Sequence, residues 1–149
     1  MAEPTSAPIT PTIANHEKLG RHEWYKSAAR KVLGRLERGE PHRMEVRKFM
    51  PPKDNCELSV DRMDHCDRRT LADMAEKNTT LTNRSLRGWH TLSAGEVAEV
   101  NCAVQSSPFP GNPYHADIVI QVNLGSADSR DDQREFVRDL AYRAVFEPR

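Results

Sequence analysis

The chain has 149 residues, with 22 basic and 22 acidic side chains and therefore no formal net charge. This balance gives no long-range attraction to nucleic acid or anionic lipid, so nucleic acid is allowed as a partner but not favoured. No run approaches the roughly 18 apolar residues of a membrane helix, and the length suits one domain.

The first 14 residues are rich in Pro, Thr and Ser and lack the basic and apolar regions of a secretory signal. We expect a disordered leader over residues 1–14 and a single domain over residues 15–149. Cys56, Cys66 and Cys102 have no C-x-x-C spacing, which suits free thiols in a reducing compartment. Cytoplasmic localisation is expected.

The first ordered element is predicted to be a helix over residues 16–38, capped by Asn15 and ended by Gly39. Its apolar residues recur at every fourth position, at Trp24, Ala28, Val32 and Leu36. The opposite face of this helix is strongly basic.

The remaining elements follow from alternation, turn residues and capping signals. Strands over residues 43–50 and 57–63 form a predicted hairpin across the turn Pro51–Asn55. Further strands are predicted over residues 86–92, 100–106 and 115–124, with Ile118 and Ile120 buried in one register and Val119 in the other. Helices are predicted over residues 67–77, from Ser93, whose spacing to Glu96 matches a capping box, and over residues 131–146.

This order predicts an α+β fold, because the short connections between strands favour neighbouring strands that run in opposite directions. We expect a single domain with a mixed or antiparallel sheet of four to five strands. An N-terminal and a C-terminal helix would cover the sheet.

The densest polar cluster is "DRMDHCD", which contains Asp61, Asp64 and His65. Carboxylate and imidazole groups together can bind a divalent metal ion, so these three residues form the candidate metal site, although no cofactor is otherwise indicated. The structural alternative has Asp67 as a helix cap and Asp64 and His65 as turn residues.

A second candidate site lies in "SPFPGNPYHADI", where prolines stiffen the loop before a strand. His115 and Asp117 are two residues apart and share a face of that strand. A histidine and a carboxylate so placed are candidate catalytic groups, a base and the residue that orients it. Equally, Asp117 would only hold His115 in place, and Tyr114 would close one end of the core.

Four further residues are candidates for binding: Ser59, Arg62, Tyr114 and Arg87. Arg62 offers a bidentate contact to phosphate, and Arg87 lies in a loop with another arginine. Strand alternation places Asp61 and Arg62 on opposite faces, which conflicts with one shared site unless a bulge intervenes. The glycine patterns of nucleotide-binding loops and the H-E-x-x-H zinc motif are missing.

The segment "FMPPKDNCELSVDR" followed by "SSPFPGNPYHADI" resembles a group of small uncharacterised bacterial proteins. They share an F-x-P…D…L-S-V segment and then a proline-rich segment with a histidine and an acidic residue. The resemblance implies a bacterial, cytosolic, single-domain protein and implies no mechanism. It also suggests that the two segments are neighbours in space.

Two functions remain open at this point. The first is a non-catalytic binding or regulatory module of a bacterial cytosolic system, whose segregated charges would bind a protein partner or a second copy of the chain. The second is a small hydrolase or transferase that acts on a nucleotide or nucleic-acid phosphate through His115 and Asp117.

Overall fold

A computed structural model describes residues 10–39, 49–52, 55–80 and 84–149. These residues form one α+β domain with six strands and four helices. The strands are β1 (Lys18–Glu23), β2 (Glu57–Arg62), β3 (Gly88–Ser93), β4 (Ala103–Ser106), β5 (His115–Val119) and β6 (Val145–Pro148). The helices are α1 (Lys26–Glu37), α2 (Arg68–Asn78), α3 (Ala94–Glu99) and α4 (Ser129–Arg143). Within the described ranges, no helix combines the length and apolarity needed to cross a bilayer.

The six strands form one antiparallel sheet in the order β4-β5-β2-β1-β3-β6. The predicted antiparallel α+β class is confirmed, with more strands than the four to five expected. Of the predicted hairpin, residues 43–48 of its first strand and residues 53 and 54 of its turn lie outside the described residues, whereas its second strand is β2.

Each face of the sheet has its own core. On one face, inward-pointing residues of the central strands pack against α3 and α4: Leu19, Leu58, Val60, Leu92 and Ile118 meet Val97, Val137 and Leu140. On the other, the α2 face, Trp89 and Met63 pack against Leu71, Ala72 and Ala75 of α2. Residues on both faces of β3 are therefore buried, so β3 does not show the alternation of buried and exposed residues that a half-exposed strand has.

The predicted first helix is wrong over residues 16–25. Residues 18–23 form β1, a central strand with six residue pairs to β3, and α1 begins only at Lys26. Only part of the predicted apolar stripe is buried: Val32 packs on Phe146 together with the neighbouring Ala29, whereas Leu36 is 41% exposed. Tertiary pairing decides the conformation here, because ladders on both sides satisfy the backbone of β1.

The predicted last helix is also too long. It ends at Arg143, Ala144 is extended, and Val145–Pro148 pairs with β3 as an edge strand. The β-branched and aromatic residues Val145 and Phe146 favour this conformation, and Pro148 is tolerated at a sheet edge.

Residues 10–14, which lie within the predicted leader, are held against the domain. The carbonyl oxygens of Thr10 and Thr12 accept hydrogen bonds from Arg62, and Ile13 packs on the core beneath α3 and α4. Residues 1–9 lie outside the described residues.

Two local predictions are confirmed in atomic detail. The Asp67 side chain caps α2 by accepting a hydrogen bond from the Thr70 N–H. Ser93 and Glu96 form a complete capping box at the start of α3. Such signals depend only on neighbours in sequence, which is why the sequence reveals them.

Replacing Gly88 with alanine is expected to lower the free energy of unfolding by about 1–3 kcal/mol. Gly88 has φ +152°, and an added Cβ would collide with the Glu147 carbonyl oxygen of β6 and lie 2.8 Å from Phe146 Cζ. Gly34→Ala is the matched control, because its Cβ would meet only Arg38 Nη1, at 3.3 Å, and alanine favours a helix interior. Urea unfolding measures the stability of both variants, and equal stability of Gly88→Ala and Gly34→Ala would contradict this prediction.

Candidate functional site

A cleft of about 530 Å³ opens on the α2 face of the sheet, beside the C-terminal end of α2. Its walls come from β1, β2, the end of α2 and the loop between β4 and β5. The chemically active residues among its lining are Arg21, His22, Ser59 and His115, together with the aromatic rings of Trp24 and Phe109.

The floor of the cleft is organised by Asp61, a carboxylate that is 1% exposed. Its Oδ2 lies 2.6 Å from His22 Nε2 and accepts a hydrogen bond from Trp89 Nε1 at 3.2 Å. Its Oδ1 accepts a hydrogen bond from Asn112 Nδ2 at 3.0 Å. Three donors therefore compensate the desolvation of this charge and fix the orientation of the His22 ring.

Gly20 makes room for this arrangement. It pairs with Asp61 across β1 and β2 and with Thr91 across β1 and β3. A Cβ at this position would collide with Met63 and lie 2.9 Å from Trp89 Cδ1. The missing side chain thus lets the Trp89 indole lie over the strand and reach Asp61.

The second histidine of the cleft is His115, the first residue of β5. Its Nδ1 lies 2.8 Å from Ser107 Oγ and 3.0 Å from the Ser107 carbonyl oxygen. The Phe109 ring meets the imidazole edge to face, with centroids 5.2 Å apart. Ser107, and not Asp117 as predicted, is therefore the residue that orients His115.

The two segments singled out in the sequence do become neighbours. β2 and β5 pair in register, with Ser59 opposite Asp117 and Asp61 opposite His115. Ser59 is exposed and lines the cleft, whereas Asp117 lies outside its lining. The catalytic role predicted for His115 and Asp117 stays a prediction.

Arg62 is not available as a contact for phosphate, because it is buried away from the cleft. It is 1% exposed, and its Nε and Nη2 donate to the Glu17 carboxylate at 3.0 and 3.1 Å. Its Nη1 and Nη2 also hold the carbonyls of Thr10 and Thr12. Asp61 and Arg62 lie on opposite faces of the sheet, as the alternation predicts, and no bulge in the pairing of β2 with β5 brings them to one face.

Burial would raise the pKa of Glu17, but hydrogen bonds from His65, the Ala14 N–H and Arg62, with the charge of Arg62, outweigh it and hold this pKa below its ordinary value. The His65 Nε2 atom lies 2.6 Å from Glu17 Oε1. This cluster fastens the N-terminal segment to the sheet.

The three residues of the predicted metal site point to different partners. Asp61 faces the cleft floor, Asp64 accepts a hydrogen bond from the Lys18 N–H, and His65 contacts Glu17. Across the described residues, no group of three or more His, Cys, Asp and Glu side chains is placed to hold a metal ion. A metal site at these positions stays a prediction.

The other two binding candidates lie apart from the cleft lining. Tyr114 is half-buried and packs against the core beneath α2, where burial and the neighbouring Cys66 raise the pKa of its hydroxyl. Arg87 is exposed, and its backbone links Glu23 to the C-terminal Arg149. Burial, together with the charges of Asp67 and Asp61, raises the pKa of the Cys66 thiol to about 11.

Sequence reasoning missed His22, Trp24, Phe109 and Asn112 as cleft residues. His22 was assigned to a helix, so its place on a strand face was not apparent. The only signal in the sequence for a role of His22 was its place in a short polar segment that begins just after Gly20. Its meaning depends on the pairing of β1 with β2 and β3.

The charged groups at the cleft are Arg21 in its lining and the Asp61 carboxylate beneath its floor. Arg21 donates from Nη1 to the Ser59 carbonyl at 2.9 Å. Burial lowers the pKa of the Arg21 guanidinium, although arginine stays protonated in proteins. The carbonyl end of α2 also borders the cleft, but its partial charge of about one half is smaller than that of Arg21.

Comparison of the chain with protein-family models, with curated proteins and with solved structures finds no match.

Proposed function

We propose that the cleft binds the phosphate of a nucleotide or nucleic acid and that the protein is a small hydrolase or transferase acting on it. The observation that carries this proposal is the presence of two histidines, His22 and His115, in one cleft that also contains an arginine. Imidazole groups are the most common proton donors and acceptors in catalysis near neutral pH.

The ring of His22 is prepared for such a role by its partner. The buried Asp61 holds His22 at 2.6 Å while the side chain of His22 remains 28% exposed. A carboxylate in this position fixes the orientation of the imidazole. Asp61 is thus a positioning residue, and the histidine is the group that a ligand meets.

The aromatic residues support a nucleotide rather than a simple phosphate. Trp24 and Phe109 line the same cleft, and Phe109 is 41% exposed. Aromatic rings beside a positive charge are typical of sites that stack bases and bind their phosphates.

Nucleotide-dependent stabilisation tests the proposal. A nucleoside monophosphate at 100 times its dissociation constant is expected to add about 2.7 kcal/mol to the free energy of unfolding, measured by thermal or urea unfolding. The corresponding nucleoside without phosphate should give a much smaller effect. His22→Gln and His115→Gln should remove most of the stabilisation, whereas His16→Gln, an exposed histidine outside the cleft, should keep it. No stabilisation by any nucleotide would contradict the proposal.

A second function, a non-catalytic binding or regulatory module, is supported by α1. This helix exposes Lys26, Arg30 and Lys31 together with Leu33 and Leu36, which are 36% and 41% exposed. A basic surface with apolar residues fits a protein partner with an acidic rim and an apolar centre. The test is reconstitution with a purified partner, in which Leu33→Asp should weaken binding and His22→Gln should not. Light scattering on the purified chain tests whether that partner is a second copy.

A bacterial cytosolic location is part of the proposal. All three cysteines are free thiols, and those of Cys66 and Cys102 have pKa values raised by burial to about 11. Free, unreactive thiols are compatible with a reducing compartment.

A further inference from the structure

The two histidines of the cleft flank a single strand. His22 lies on β1 and His115 on β5, and β2 runs between them with Asp61 opposite His115 in register. Strands are spaced by about 4.8 Å, so the two histidine backbones are roughly 10–12 Å apart on one sheet face. Both side chains line the same cleft, and the Asp61 carboxylate lies beneath them on β2.

Each ring has one nitrogen bound to the protein. The His22 Nε2 atom faces the Asp61 carboxylate, which can only accept a hydrogen bond, so this nitrogen carries the proton and Nδ1 keeps its lone pair. His115 holds Nδ1 against Ser107, which leaves Nε2 as the nitrogen that gains or gives a proton. The cleft therefore contains a histidine oriented as a base and a second histidine able to act as an acid.

An aromatic ring accompanies each histidine. The centroids of Trp24 and His22 are 5.7 Å apart, and those of Phe109 and His115 are 5.2 Å apart, both edge to face. The two bases on either side of a phosphodiester can stack on such rings when the strand is not paired. The site thus suits a single-stranded dinucleotide step with its phosphate between the histidines.

We propose that the cleft cleaves single-stranded RNA by transfer of the phosphate to the neighbouring 2′-hydroxyl, with His22 as general base and His115 as general acid. This inference rests on the proposed function and names its substrate and reaction. The 2′ oxygen forms a bond to phosphorus while its proton passes to His22 Nδ1. The bond from phosphorus to the 5′ oxygen breaks, and His115 gives its proton to that oxygen.

The products are a 2′,3′-cyclic phosphate and a 5′-hydroxyl, and no electron donor or acceptor is needed. The nucleophile belongs to the substrate, so proximity replaces activation of a water molecule. The positive charge of Arg21, which lines the cleft, favours the charge that develops on the phosphate oxygens. DNA lacks the 2′-hydroxyl and cannot react in this way.

The test uses a short single-stranded RNA, the same sequence with 2′-O-methyl groups, and the same sequence as DNA, each in the presence of EDTA. Only the RNA should be cleaved, and its product should carry a 2′,3′-cyclic phosphate. His22→Gln and His115→Gln should each lower kcat/KM by 100-fold or more, since general acid–base catalysis typically contributes that much. His16→Gln should leave the rate unchanged, and circular dichroism should show that all three variants fold.

Three results would overturn the inference: no cleavage of a bound RNA, cleavage of the 2′-O-methyl strand, or activity that persists in both cleft variants. If the wild-type protein binds nucleotides but leaves RNA intact, only this inference fails and the proposed function stands. If it neither binds nucleotides nor cleaves RNA, both fail.

Discussion

Asp61→Ala is expected to lower the free energy of unfolding by about 3–5 kcal/mol, one of the two largest effects expected for a single substitution in this protein. The carboxylate is 1% exposed and accepts hydrogen bonds from Trp89 and Asn112 while it faces His22. Its removal leaves two buried donors without an acceptor. They are the indole N–H of Trp89, which is 0% exposed, and the side-chain amide of Asn112, which is 5% exposed. Each such buried donor costs about 1–3 kcal/mol.

Urea unfolding followed by tryptophan fluorescence measures this effect and also reports on Trp89 itself. Ser59→Ala on the same strand is the matched control, because Ser59 is exposed and its loss should change stability by no more than about 0.5 kcal/mol. Asp61→Asn should fall between them, because it keeps the shape of the side chain but replaces one acceptor oxygen with a donor. An Asp61→Ala variant as stable as Ser59→Ala would disprove the role assigned to this carboxylate.

Arg62→Met is expected to cost a similar 3–5 kcal/mol, because it leaves the Glu17 carboxylate buried without its main cationic partner. Glu17 is 6% exposed, and Arg62 also holds the carbonyls of Thr10 and Thr12. The double variant Glu17→Gln with Arg62→Met should be more stable than Arg62→Met alone, because it also removes the buried Glu17 charge that has lost Arg62. Equal stability of the single and double variants would mean that Glu17 does not depend on Arg62.

The same pair predicts a dependence of stability on pH. The pKa of Glu17 is lowered in the folded state from its ordinary value of 4.5. The ionised Glu17 side chain therefore contributes fully to the free energy of unfolding above pH 4.5. This contribution is then lost as the pH falls through the lower pKa of the folded protein. Urea midpoints between pH 7 and pH 2 should therefore converge for the wild-type protein and Glu17→Gln on the acid side. A constant difference across this range would contradict the assignment. Comparing the two proteins at each pH cancels the effect of other carboxylates, such as Glu147, that both contain.

The buried carboxylate of the cleft floor belongs to the cluster that the sequence predicts as a metal site, and that site stays a prediction. Asp61 was chosen for its place in a dense polar cluster, as a metal ligand beside Asp64 and His65. In the structure these three side chains have separate partners, because the chain turns after β2 and sends each in a different direction. Proximity in sequence at the end of a strand does not imply proximity of side chains.

What the sequence alone determined was local or periodic: the α+β class, the capped starts of α2 and α3, and the strands β2, β3 and β5 with Ile118 and Ile120 buried. The tertiary structure decided β1, β6 and the cleft. The residues of β1 have weak strand preferences of their own, and both β1 and β6 become strands because β2 and β3 present edges that complete their hydrogen bonds. His22 and His115 are 93 positions apart in the numbering of the chain, and only the order of the strands in the sheet brings them into one cleft.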